Sequence, residues 1–242
     1  MGEGLAAWVL EAPGGFGDAG FHSHHAIQLT ISFAGTLSLT CGGETRSGKT
    51  IAVATDTLHK FAAAGLLGFI FVEPESPVGR ALSERLFGAG PMAVVEDADF
   101  LGAAEPLGAA FDGPMEHAAM LDVARRAVAA LAGQTAAPLP DARIRRIIDC
   151  ALARPEASLD EAAATARVFL SGSRLRHLFV EQTGLAFKTY MLWQRLMRAL
   201  QVYAEGRSLT EAAHQAGFSD SAHFSRVFKR YFGLPATTLT RL

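Results

Sequence analysis

SLTEAAHQAGFSDSAHFSRVFKRYFGLP, residues 208–235, decides the fold of the carboxy-terminal part of this 242-residue chain. Ser208 followed three positions later by Glu211 is a capping box, in which a hydroxyl and a carboxylate reciprocally satisfy backbone N–H groups left unpaired at a helix start. A short helix is expected there, with Ala212, Ala213 and Ala216 small enough to pack closely. Gly217 supplies a turn conformation that a Cβ would oppose, and Ser219 is placed to cap a second helix. That helix is expected to run to Phe232, anchored by Phe224, Val227, Phe228 and Tyr231 at helical spacing. Ser221, Ala222, His223, Arg226 and Arg230 are left for its other faces. The pattern is a helix-turn-helix with a basic second helix.

The pattern occurs twice. Ser158-Leu-Asp-Glu-Ala-Ala163 and Ser208-Leu-Thr-Glu-Ala-Ala213 open two similar units, and Leu175, Phe179 and Gly184 answer to Phe224, Phe228 and Gly233. Residues 187–205 between them read as one long helix, with Leu192, Leu196, Ala199, Leu200 and Tyr203 on a stripe. A helix of roughly twenty residues is about 30 Å long. That is close to the roughly 34 Å turn of B-DNA, so two recognition helices held apart by it suit successive major grooves on one face.

At these residues the chain resembles the AraC family of bacterial transcription regulators, whose carboxy-terminal domain holds two helix-turn-helix units joined by a linker helix. The resemblance covers residues 141–242 and is carried by AGFSDSAHFSRVFKRYFGLP and by SRLRHLF, QTG and the spaced F, Y, RL and A that follow. It implies double-stranded DNA as partner, RNA polymerase as a further partner of an activator, and a cytoplasmic protein. It also implies base-edge contacts from Ser173, Arg174 and His177, with Arg176 nearby, and from Ser221, Ala222, His223 and Arg226. Arginine donates bidentately to guanine, and alanine meets a thymine methyl. Lys229 and Arg230 are assigned to phosphates. The first unit departs from the family pattern in having Arg167-Val168-Phe169-Leu170 where a turn glycine is usual. Its stretch from Ser158 to Leu175 is a residue or two longer, so an irregular first helix or turn is expected.

Charge divides the chain the same way. Residues 1–135 hold 7 Lys and Arg against 15 Asp and Glu, a net of −8, whereas residues 136–242 hold 15 against 9, a net of +6. The second part suits DNA phosphates and the first is repelled by them. Cys41 and Cys150 lie far apart and suggest reduced thiols rather than a disulfide or zinc framework. The amino terminus lacks the basic and apolar regions of a signal peptide, and the longest apolar run, residues 61–72, is too short to span a bilayer.

From Trp8 to Glu73 the pattern becomes short alternating runs broken by Gly, with Ile27, Leu29, Ile31 and Phe33 on one parity. Strands and tight turns follow, with further runs at 50–54 and 66–72, in the spacing of a small β-sandwich or barrel. Helical periodicity returns over 77–131, notably at 114–131, an amphipathic stretch that serves either a homodimer or packing on the barrel. Residues 133–140 read as a linker. The expected class is α+β in two domains. Residues 1–135 form a cupin-like β-barrel or sandwich with flanking helices, for effector sensing and dimerisation, and residues 136–242 form an all-α double helix-turn-helix.

Gly20-Phe-His22-Ser-His24-His25-Ala-Ile-Gln28, with Gly35 and His59, is the constellation in this part that could carry site chemistry. In an unbroken strand His22, His24 and Gln28 project from one face. The order resembles the first motif of cupin barrels, with His59 in the place of the second-motif histidine. Imidazoles at that spacing suit divalent Zn, Ni, Fe or Mn. Gln28 stands where a carboxylate is usual and lends no charge, so the set is either a metal site or the polar wall of an effector pocket. His25 has the opposite parity and is expected outside or packed elsewhere. The same face carries Thr30 and Ser32. Either it lines a ligand cavity while helices cover the other face, or the histidines lie outside. The function these features imply is an effector-controlled, sequence-specific DNA-binding regulator. The alternative is a metal-dependent cupin enzyme with a DNA-targeting domain, but no nucleophile elbow, P-loop or dinucleotide fingerprint accompanies it, and an enzyme is not expected.

Overall fold

A computed structural model describes residues 4–12, 14–15, 20–109, 116–133 and 141–241. The chain divides into two compact units, one of residues 1–137 together with 225–242 and the other of residues 138–224.

The first unit is built on six antiparallel strands: β1 (Leu5–Ala12), β2 (Ile27–Cys41), β3 (Glu44–Ser47), β4 (Thr50–Val53), β5 (His59–Val72) and β6 (Met92–Val94). They form one open sheet in the order β1-β5-β2-β4-β6, with β3 on β2. The long strands β2 and β5 pair throughout, with a register shift between Ser32 and Ala34. Gly35 and Gly65 then stand opposite each other, both at positive φ (+99° and +94°). A Cβ on Gly35 would lie 2.0 Å from Ala64 O, and one on Gly65 would lie 2.1 Å from Ala34 O. Only glycine at both positions lets the two backbones pass that close.

The described residues between β5 and the second unit also form three helices, α1 (Pro77–Leu86) before β6 and α2 (Ala98–Ala109) and α3 (His117–Ala132) after it. The odd-parity residues Ile27, Leu29 and Ile31 of β2 join Val9, Ile70 and Val72 in a core shared with Leu82, Phe100, Val128 and Leu131 of these helices. Helices therefore cover the face that carries the apolar alternation. The buried stripe of α3 (Val123, Ala124, Ala127, Val128, Leu131) is occupied by this packing, the second of the two uses expected for that amphipathic stretch. Gln28 and Thr30 are buried on the opposite face. Ile27–Ile31 is buried on both sides for this reason.

The second unit contains α4 (Ala142–Ala153), α5 (Leu159–Thr165), α6 (Gly172–Thr183), α7 (Phe187–Ala204) and α8 (Leu209–Gln215). Ile144, Ile147, Leu159, Ala162, Leu175, Phe179 and Tyr190 close one core. The 18 residues of α7 span about 27 Å. Trp193, absent from the stripe read in the sequence, is among the largest fully buried side chains. The final helix α9 (Ser221–Phe232) begins in this unit and continues into the first, where a 3-10 helix, Ala236–Arg241, ends the chain. The linker expected at 133–140 lies, apart from Gly133, outside the described residues. Cys41 and Cys150 are free thiols. No described helix is long and apolar enough to cross a membrane.

Candidate functional site

Both capping boxes form. Ser158 Oγ accepts from Glu161 N while the Glu161 carboxylate accepts from Ser158 N at 2.8 Å, and Ser208 and Glu211 repeat the arrangement at the start of α8. The second recognition helix is capped differently from expectation. Asp220, not Ser219, accepts from His223 N at 2.6 Å, and Ser219 Oγ instead donates to Asp220. A carboxylate one residue nearer the helix reaches the N–H three positions on, which the Ser219 hydroxyl does not.

The departure in the first unit is confined to its turn. Helices α5 and α8 each have seven residues, and α6 and α9 each have twelve. Arg167 stands where Gly217 stands, with φ +54° against +83°. From there to the next helix the first unit has one residue more, and Phe169, 86% exposed, lies in this longer turn. The helix is regular and the turn carries the extra residue.

Ser173, Arg174, Arg176 and His177 are exposed on α6. On α9, Ala222, Arg226, Lys229 and Arg230 are exposed, and Ser221 and His223 are partly so. Beneath them Leu175, Leu178, Phe179, Phe224, Val227 and Phe228 are buried. Each recognition helix thus keeps an apolar face for the protein and a polar, cationic face for solvent.

In the first unit His22, His24 and His59 come together, one ring nitrogen of each lying within 4.8 Å of the others. His22 and His59 exchange two backbone hydrogen bonds of 2.9 Å, N–H of each to C=O of the other, which sets their rings 4.3 Å apart. In each histidine Nδ1 lies against a backbone carbonyl two residues away: Gly20 O at 2.9 Å, Ala26 O at 2.9 Å and Thr57 O at 2.8 Å. A neutral imidazole that donates from Nδ1 keeps its lone pair on Nε2, the tautomer that metal-binding histidines adopt. His59 Nε2 is buried and has no hydrogen-bond partner.

Burial holds all three rings neutral. It lowers the pKa of His24 to about 4 and that of His59 to about 2, with nearby imidazoles adding to the effect, and it lowers His22 as well. Gln28, in the usual carboxylate position, faces His24 Nε2 with its amide oxygen at 2.8 Å and donates from its nitrogen to Thr30 Oγ1 at 2.7 Å. A His24 that donates from Nδ1 has no proton for that oxygen, so two lone pairs meet across a gap that a cation would bridge. The reversed amide would instead donate to Nε2 in a plain hydrogen bond. His25 is fully buried rather than outside, its Nε2 2.9 Å from Glu75 Oε2.

Sequence reasoning missed the wall around the histidines. Trp8, Phe69 and Thr30 are cross-strand neighbours in one row of the sheet, and Phe71 lies opposite Gln28 in the next. With Phe61 these rings form an aromatic face, Trp8 and Phe71 stacking at 4.5 Å. The shared parity of Phe61, Phe69 and Phe71 on one strand was the available signal. Phe228, Phe232, Leu234 and Thr238, from the last residues of the same unit, line a cavity of about 20 Å³ beside His22 and Gln28.

A family model described as a helix-turn-helix domain matches residues 164–241. The chain is 40% identical over 65 residues to the Msm operon regulatory protein of Streptococcus mutans, an alignment covering 26% of this chain and 23% of that protein. It is 34% identical over 79 residues to the arabinose operon regulatory protein of Escherichia coli K12, covering 32% and 27%. The matched part is thus about a quarter of these curated relatives, both of them operon regulatory proteins. The fold is similar to that of ToxT from Vibrio cholerae O395 over 98% of this chain and 97% of that one, with a TM-score of 0.57 at 12% identity. Two helix-turn-helix units on one linker helix, matched in sequence over residues 164–241 and similar there to such regulators, make the carboxy-terminal part of the chain a helix-turn-helix domain like theirs, in a fold similar to that of ToxT.

Proposed function

We propose that the protein is a sequence-specific DNA-binding transcription regulator whose DNA affinity is set by an effector held in its first unit. The observation that carries the DNA reading is the pair of capped helix-turn-helix units, each presenting a recognition helix with an exposed cationic face and a buried apolar one. Double-stranded DNA in the cytoplasm is then the partner, with a second copy on a paired operator and RNA polymerase for an activator. Site selection from a random pool, followed by binding of the selected duplex across a salt series, tests this. Selected sequences with a common core and a steep fall of affinity with salt support it. An unselective pool would sink it.

For the effector, the site supports a divalent cation (Zn, Ni, Fe or Mn) held by His22, His24 and His59. The support is the convergence of the three ring nitrogens, the three Nδ1–carbonyl contacts and the orphaned His59 Nε2. When bound, the ion would supply binding free energy rather than catalysis. A second reading has a specific observation in its favour. The aromatic face of Trp8, Phe61, Phe69 and Phe71 suits the apolar body of an organic effector, and a structure of ToxT binds an unsaturated fatty acid. As the site stands, about 20 Å³ is too small for such a body. Metal analysis of untagged protein prepared without chelator, beside a His22→Ala/His24→Ala/His59→Ala variant, separates the two. Stoichiometric metal lost in the variant supports the cation, and no metal in either points to an organic effector.

A further inference from the structure

We infer that residues 228–238 are a lid on the histidine site, so that a divalent cation in the site and seating of this segment reinforce each other. The inference rests on the cation reading above and adds how the bound ion would be sensed.

Contacts of this segment within the first unit carry it. The Phe232 ring stands edge-on to Trp8 at 5.5 Å and to Phe71 at 5.4 Å, and its centroid is 6.2 Å from that of His24. Gly233, at φ +70°, ends the helix so close to the site that a Cβ there would lie 2.5 Å from His22 Nδ1 and 2.6 Å from Gly20 O. The backbone at Gly233 therefore backs the same His22–Gly20 contact that leaves His22 Nε2 available to the other two histidines. Phe228, Phe232 and Leu234 form one wall of the partly open cavity of about 20 Å³ beside His22 and Gln28.

The physical consequence is a linkage. With the lid seated, His22 is held in its ligating orientation and apolar side chains leave less water beside it, which strengthens the attraction between the ion and the ring nitrogens. With the lid away, His22 loses its backing and the site fills with water. A cation that prefers the seated arrangement by some factor stabilises seating by that same factor. The lid includes the carboxy-terminal half of α9, the second recognition helix, so the cation level is read out as the order of that helix end. An organic effector large enough to cover the aromatic face would act oppositely, by displacing the lid.

The test uses the full chain, stripped of metal and titrated calorimetrically with zinc(II), as wild type, Gly233→Ala and Phe232→Ala. Hydrogen exchange of residues 233–241 is followed with and without zinc. The expected result is zinc binding by the wild type, weakened by about tenfold or more in both variants, with zinc slowing exchange of the segment. Failure of the wild type to bind zinc would overturn the cation reading and this inference with it. Zinc bound equally well by both variants, with exchange indifferent to zinc, would overturn the lid and leave the cation reading standing. If neither variant folds, exchange in the wild type alone decides: slowed by zinc supports the lid, unchanged overturns it.

Discussion

Arg167 adopts in the first helix-turn-helix the left-handed backbone that Gly217 adopts in the second, with φ of +54° and +83°. Both residues follow a seven-residue helix, and the next residue of each turn, Val168 or Phe218, donates its N–H to the helix residue five positions before it, Ala163 or Ala213. The turn geometry is common to both units, but one of them holds it with a residue that has a Cβ. Left-handed backbone costs a non-glycine residue about 1–2 kcal/mol, and a glycine gives back about 0.4–1 kcal/mol through the unfolded chain. Arg167→Gly should therefore stabilise the protein by up to about 1 kcal/mol, and Gly217→Arg should destabilise it by a similar amount. Urea midpoints at unchanged m-value check both signs, and a destabilised Arg167→Gly would show that its side chain matters more than its backbone.

How much of this was legible follows from the range of the interactions involved. Capping boxes, turn glycine and helical spacing are local, so residues 208–235 announced their helices, and the extra length before Ser171 announced an irregular helix or turn without saying which. The cap on α9 was misread by one residue because Ser219 and Asp220 are adjacent and both are good capping residues. The histidines showed as a cluster, but not by the unbroken strand their parity assumed. Strand β2 begins at Ile27, and among the described residues between β1 and β2 only His22 makes a bridge, to His59. The choice between a cavity face and an outer face was not local. It depended on which face of β2 the helices α1–α3 cover. The aromatic wall and Phe232 come from distant parts of the chain, and no spacing rule brings Trp8, Phe71 and Phe232 together.

Gly35 and Gly65 make a second backbone prediction. Each is at positive φ, and a Cβ on either would sit 2.0–2.1 Å from a carbonyl oxygen of the opposite strand. Neither backbone can retreat without breaking the long β2–β5 pairing. Gly35→Ala or Gly65→Ala should cost about 3–5 kcal/mol, because the new Cβ meets backbone that cannot give and the positive φ adds strain. Soluble protein with an unchanged melting temperature would show that the strands pass each other less closely than this.

Stability should depend on pH through the histidines. Above pH 6.5 they are neutral in both states and contribute no slope. Below it an unfolded imidazole takes up a proton, while His24 stays neutral down to about pH 4 and His59 to about 2. The unfolded chain then binds more protons, so stability falls with falling pH, by up to about 1.4 kcal/mol per unit for each such histidine. Metal-free protein should lose melting temperature from pH 6.5 toward 4, and a His22→Asn/His24→Asn/His59→Asn variant should lose less over the same window. Parallel curves for the two proteins would assign the acid sensitivity to other groups.

On α9, Arg226 and Lys229 should separate in their effect on DNA. Both are exposed cations on a helix whose apolar residues are buried, but they carry different headgroups. The planar guanidinium of Arg226 can donate two parallel bonds to guanine O6 and N7 and so distinguish one base pair. The ammonium of Lys229 near the helix end suits a phosphate, where it adds affinity without regard to sequence. Arg226→Ala should therefore cost about 1–3 kcal/mol on the selected duplex and relax preference at one position, with much less loss on a duplex altered there. Lys229→Ala should weaken binding alike on every duplex and reduce the slope of log affinity against log salt by about one. If Arg226→Ala weakened all duplexes equally and lowered the salt slope, its guanidinium would be on a phosphate and the base contact would have to come from Ser221, Ala222 or His223.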